Sequence, residues 1–114
     1  MEIIRNQEFG GERPLYARHD LRLEDVTVHM GESALKETSD IEAVRCRFEG
    51  KYPFWCCERF AVRDCLFTEG ARAALWYSSD LEMTDTVVEA PKMFREMKRL
   101  SLSRVRIPNA AETL

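Results

Sequence analysis

Apolar residues recur in this chain at a spacing that suits a coiled, stacked backbone. From Leu21 they fall at offsets 0, 2, 5 and 7, as Leu21, Leu23, Val26 and Val28. The pattern returns as Ile41, Ala43, Cys46, Phe48, then as Phe60, Val62, Cys65, Phe67. It returns again as Leu81, Met83, Thr86, Val88, and as Leu100, Leu102, Val105, Ile107, with starts 20, 19, 21 and 19 residues apart. Self-similarity at such a period marks a solenoid. Offsets 0 and 2 alternate as on a strand, and so do 5 and 7, because every second side chain points inward. The phase shift between them requires a bend, filled by Glu24-Asp25, Val44-Arg45, Arg63-Asp64, Thr84-Asp85 and Ser103-Arg104. Aspartate and other charged residues solvate a bend and tolerate its backbone angles. A further inward position precedes each start by six residues: Leu15, Leu35, Phe54, Leu75 and Phe94. The expectation is an all-β, right-handed, single-stranded parallel β-helix with three short strands per coil.

Two segments compete with that reading. Met93-Phe94, Met97 and Leu100 match helical spacing, and Glu32 to Glu37 holds helix formers. The same offsets hold Pro53-Phe54-Trp55-Cys56 in a neighbouring coil, a poor helix, so the repeat overrides both. The Leu-x-x-Leu-x-Leu-x-x-Asn pattern of leucine-rich repeats is absent. The organisation expected is one domain over 1–114. It has an N-terminal partial coil at 1–20, coils at 21–40, 41–59, 60–80 and 81–99, and an incomplete coil at 100–114. The last coil stops fourteen residues after Leu100. That suggests a piece of a longer solenoid, with end-to-end stacking of another chain as the alternative.

Composition sets the remaining bounds. The chain has 114 residues, 45% hydrophobic and 32% charged, which fits one globular domain rather than disorder. A formal net charge of −3 argues against nucleic acid as the main partner. No apolar run long enough to span a membrane occurs, and the N-terminus lacks the basic-then-apolar order of a signal peptide. A cytoplasmic protein with mostly reduced cysteines is therefore expected.

Gly11-Glu12-Arg13-Pro14-Leu15-Tyr16, Gly31-Glu32-Ser33-Ala34-Leu35-Lys36, Lys51-Tyr52-Pro53-Phe54-Trp55 and Ala74-Leu75-Trp76 carry a family likeness. The coils they belong to, from about Phe9 to Leu114, resemble the pectin-lyase-like right-handed β-helix superfamily. More narrowly, they resemble an uncharacterised bacterial family of such proteins known as a domain of unknown function. The resemblance implies the fold and brings no catalytic residue with it.

Equivalent residues of stacked coils lie about 4.8 Å apart, so outward columns are site candidates. One column reads Tyr16, Lys36, Trp55, Trp76 and Arg95, and the next reads Ala17, Glu37, Cys56, Tyr77 and Glu96. Aromatic rings with a cation at either end suit a sugar-stacking platform, the cations holding carboxylates of a uronide. The competing reading is packing: the indoles cover the flank and Lys36 and Arg95 lie over them. Tyr16, Lys36, Trp55, Trp76, Tyr77 and Arg95 are the ligand-binding candidates, with an oligosaccharide as the ligand.

Catalysis finds less support. Glycosidases place two carboxyls about 5 to 9.5 Å apart. Glu37 and Glu96 are three coils apart, roughly 14 Å. Asp64 and Asp85 satisfy the distance, but their column reads Asp25, Arg45, Asp64, Asp85, Arg104, a charge ladder. Asp20, Asp40, Arg59, Asp80, Arg99 make a second one. A calcium-dependent lyase needs more oxygen ligands than these ladders cluster. Cys46 and Cys65 share an inward column, where thiols act as small hydrophobes and could be bridged on oxidation. Cys56-Cys57 face opposite ways, no Cys-x-x-Cys spacing exists, and His19 and His29 lie elsewhere, so neither a metal nor a cofactor is expected. The expectation is a non-catalytic β-helix with an oligosaccharide-binding face. A polysaccharide lyase, a glycoside hydrolase and a protein-interaction scaffold are the alternatives.

Overall fold

The computed structural model describes residues 2–12, 15, 17–32, 35–72, 75–92 and 94–108. Among them the strands are β1 (Glu2–Arg5), β2 (Glu8–Glu12), β3 (His19–Glu24), β4 (Thr27–Glu32), β5 (Ser39–Val44), β6 (Arg47–Phe48), β7 (Glu58–Arg63), β8 (Leu66–Phe67), β9 (Ser79–Thr84), β10 (Val87–Val88) and β11 (Lys98–Ser103). The odd-numbered strands form one six-stranded sheet in chain order, and the even-numbered strands a five-stranded one. Every pairing is parallel. The chain is a β-solenoid of about five turns, roughly 19 residues each. No helix forms among the described residues, so the helical spacing at Met97–Leu100 yields to the coil repeat.

The register is the one the apolar repeat dictates. Leu21 pairs with Ile41, Ile41 with Phe60, Phe60 with Leu81 and Leu81 with Leu100. Leu21, Leu23, Ile41, Ala43, Val62, Met83 and the inward series Leu15, Leu35, Phe54, Leu75 are all buried. Phenylalanines stack inside the barrel of coils, Phe48 on Phe67 at 4.9 Å and Phe54 on Phe60 at 5.1 Å between centroids.

One residue per coil turns the chain from the first sheet into the second. Asn6, Asp25, Arg45, Asp64, Asp85 and Arg104 all adopt the left-handed region, with φ between 48° and 54°. Asparagine and aspartate enter that region more readily than other non-glycine residues. The backbone ladder continues through the corner, with Asp25 N–H donating to the Val44 carbonyl at 3.1 Å and Arg45 N–H to Arg63 at 3.0 Å.

Two of the three strands expected per coil form. The third flank runs through turns, because a second left-handed series bends it at Ala17, Glu37, Cys56, Tyr77 and Glu96. Its backbone still bonds coil to coil, Glu37 N–H donating to Trp55 at 2.8 Å and Cys56 N–H to Trp76 at 3.0 Å. Variation in coil length sits just before this flank. Val28 to Leu35 is seven residues, Phe48 to Phe54 six, Phe67 to Leu75 eight and Val88 to Phe94 six. Small residues fill the corner there: a Cβ on Gly50 would lie 2.7 Å from the Gly31 nitrogen, so this close approach of two coils requires glycine.

Candidate functional site

The turn flank gathers the candidate residues. Tyr77 N–H donates to the Arg95 carbonyl at 2.9 Å and Ala17 N–H to Lys36 at 2.9 Å, which sets Lys36, Trp55, Trp76 and Arg95 in one column. Tyr16 lies outside the described residues. The Trp55 ring stacks on Tyr52 at 5.1 Å and 23°, and its centroid is 6.0 Å from that of Tyr77. Trp76 meets Tyr77 edge to face at 6.2 Å and donates its indole N–H to the Lys92 carbonyl at 2.5 Å. The result is a strip of four rings running across two coils. Both indoles are half-buried, and Tyr77 is 41% exposed. Tyr52 belongs to the strip although its column gave no sign of it. Its signal was the three-residue step to Trp55, which the left-handed backbone at Tyr52, φ 53°, folds back onto the same side.

Cations lie over the strip. Lys36 Nζ stands 4.9 Å from the Trp55 ring centre, and Arg95 Cζ stands 4.8 Å from that of Trp76 and 6.0 Å from that of Tyr77. Neither forms an ion pair among the described residues. The indole N–H of Trp55 is buried and has no hydrogen-bond acceptor among the described residues. Beside the strip, Tyr77, Ser78, Ser79, Glu96, Met97 and Lys98 line an open groove of about 500 Å³.

The two charge ladders are formed, as forked arginine–carboxylate pairs one coil apart. Arg59 grips Asp40 at 2.9 and 3.2 Å, and Arg45 grips Asp25 at 3.0 and 3.2 Å. Arg104 holds Asp85 at 2.5 and 3.0 Å, and Arg99 holds Asp80 in the same way. These guanidiniums keep the carboxyls of Asp40, Asp80 and Asp85 below the usual carboxylate range. Asp64 has no ion pair among the described residues, since Arg45, the base next to it in the column, turns the other way to Asp25. A second cavity, about 270 Å³, lies over Ala61 between Asp40, Glu42, Arg59, Asp80 and Glu82. Glu42 there accepts from Arg22 at 2.7 Å.

Cys46 and Cys65 sit where the repeat puts them. Cys46, Cys57 and Cys65 are buried, Cys56 is exposed, and all four are free thiols. Burial pushes the Cys57 thiol up to about 11. Cys57 belongs to an inward column the apolar repeat does not include, Thr38–Cys57–Ser78. Thr38 Oγ1 donates to the Leu35 carbonyl at 2.8 Å, and Ser78 Oγ accepts from Cys57 N–H at 2.9 Å and donates to the Phe54 carbonyl at 2.7 Å. These hydroxyls satisfy backbone groups at the bend out of the turn flank. Among the described residues no group of three or more His, Cys, Asp or Glu could hold a metal ion.

A stacked solenoid with this coil length and these columns matches, over residues 2–114, the family described as protein of unknown function (DUF3737). The chain belongs to that family. No curated protein matches it. Among solved structures it is similar to a protein from Parabacteroides merdae proposed to be a glycosyl hydrolase. The TM-score is 0.59 at 7% identity, over 82% of this chain. The chain spans 61% of that protein's length. At that identity the likeness shows a shared fold.

Proposed function

We propose that this DUF3737 chain binds an oligosaccharide on its turn flank and does not turn it over. The observation that supports the reading is the strip of Tyr52, Trp55, Tyr77 and Trp76, whose neighbouring rings lie 5.1 to 6.2 Å apart. Aromatic faces offer apolar contact to the C–H face of a sugar ring, and their polar tips and nearby hydrogen-bonding groups fix its orientation. Tyr77 is the exposed ring of the strip and opens onto the 500 Å³ groove. Lys36 and Arg95 complete the set of contacts, as the columns of the sequence suggested. Kinship with pectin-lyase-like proteins and a cytoplasmic setting are part of the same reading.

The arginine-paired carboxylates are unsuited to the acid step of a hydrolase. A glycosidase needs one carboxyl held protonated near neutral pH to act as general acid. In the cavity over Ala61, Asp40 and Asp80 are instead held ionised by Arg59 and Arg99. Glu24 and Glu49 are likewise shifted down by their basic neighbours. The name of the Parabacteroides protein makes hydrolysis the reading to test alongside.

Tryptophan fluorescence read during titration with a panel of oligosaccharides tests the proposal. A saturable change, abolished by Tyr77→Ala and by Trp76→Ala, with the sugars recovered intact by chromatography, is the expected result. A flat response to the whole panel removes the proposal, and shortened sugars replace it with an enzyme.

A further inference from the structure

The cations on the turn flank differ from those elsewhere on the molecule. On the strand faces and corners, arginines such as Arg22, Arg45, Arg59, Arg99 and Arg104 each hold a carboxylate of the same or the next coil. On the turn flank, Lys36, Lys51, Arg72, Lys92 and Arg95 hold none among the described residues. Lys98, which lines the groove, and Arg106, on the other sheet, likewise form no ion pair among the described residues, so most of the unpaired cations of a chain with a net charge of −3 lie around the aromatic strip. Two of those cations do more than border the strip. Lys36 at 4.9 Å from the centre of Trp55 and Arg95 at 4.8 Å from that of Trp76 cover ring faces that a sugar would need.

Resting on the oligosaccharide reading, we infer that Lys36 and Arg95 are displaceable caps that select an anionic oligosaccharide over a neutral one. A neutral sugar can stack on an indole only by pushing a cation off it, and it returns nothing to that cation beyond water. A sugar bearing carboxylate or sulfate groups receives the displaced ammonium and guanidinium as ion pairs while its rings take the faces they leave. Charge-assisted bonds of that kind are stronger than the cation–π contacts given up. Among the described residues neither cation forms an ion pair with a carboxylate. The orphaned indole N–H of Trp55, buried and without an acceptor among the described residues, fits the same exchange. A buried donor left unpaired is costly, and a ligand oxygen that reached it would relieve that cost.

The test uses tryptophan fluorescence of the whole chain with three probes: a uronic acid oligomer, a neutral oligomer of equal length, and polyglutamate as an anion without sugar rings. The wild-type protein is expected to bind the uronic oligomer about tenfold tighter than the neutral one, the difference one charge-assisted bond makes. Added salt should narrow that gap. In the Lys36→Ala/Arg95→Ala protein the uronic oligomer should weaken about tenfold while the neutral one binds tighter, because the faces are uncovered. Lys36→Ser and Arg95→Ser, checked by circular dichroism, give the same readout should the alanine pair fold poorly. Equal binding of neutral and uronic oligomers by the wild type overturns the selection and leaves the oligosaccharide reading standing. Polyglutamate binding as tightly as the uronic oligomer overturns it in favour of plain charge attraction. Silence toward every sugar overturns both.

Discussion

His29 is held from both sides. Its Nε2 meets a carboxylate oxygen of Glu8, and its Nδ1 meets Glu49 at 2.9 Å, so one ring joins three successive coils of the second sheet. Arg47 faces the same spot and bonds Glu49 at 2.7 Å. Both ring nitrogens can donate only when the imidazole is protonated. The hydrogen bond to Glu8, then that to Glu49, accordingly raises the His29 pKa above its ordinary 6.5. A group whose pKa is raised on folding adds stability that is full below the unfolded value and is lost as pH rises through the folded one. Wild type should therefore melt above His29→Gln at pH 5.5, and the gap should close as the pH is raised past 6.5 into the alkaline range. A gap independent of pH across that series would mean the imidazolium bridge is not formed. The cluster was readable in principle, as His29 and Glu49 are one coil apart. The weight given to histidine as a metal ligand hid its use as a bridge.

At the scale of the element, each corner and strand entry is a left-handed residue whose side chain stands outside the coil. Repeating such positions every coil puts unlike charges in columns, and the forked pairs Asp40–Arg59 and Asp80–Arg99 follow. In a column a shift of one coil places like charges together, so the ladders specify register. Arg59→Asp sets four acids in succession, with Asp20, Asp40 and Asp80, and should destabilise the protein in urea. Asp40→Arg combined with it should recover part of the loss, because it puts a base between Asp20 and the new acid and so makes two unlike pairs. No recovery in the double variant would mean the two side chains act independently. These ladders were legible because spacing alone creates them. The third flank was misread as strand because inward alternation at Leu35, Phe54 and Leu75 looks the same on a strand and on a stacked turn. The left-handed backbone that separates the two leaves no mark on a sequence with Glu37, Cys56 and Tyr77 at those positions.

Across the whole molecule, burial of the inward columns falls off at the last described coil. Met83 and Leu102 occupy the same inward column, yet Met83 is fully buried and Leu102 is 39% exposed. A methionine-to-alanine change in a full core costs about 2–5 kcal/mol. Met83→Ala should fall in that range by urea denaturation, and Leu102→Ala should cost clearly less. Equal losses would show that the last described coil is covered as fully as the inner ones. The sequence by itself determined the solenoid, its period, its register and its charge ladders, because each follows from a local spacing repeated coil after coil. Only the tertiary structure decided that the flank is turned, that Tyr52 joins the aromatic strip, and that His29 bridges two carboxylates. Those outcomes depend on where side chains of different coils and columns meet in space, which no single repeat encodes.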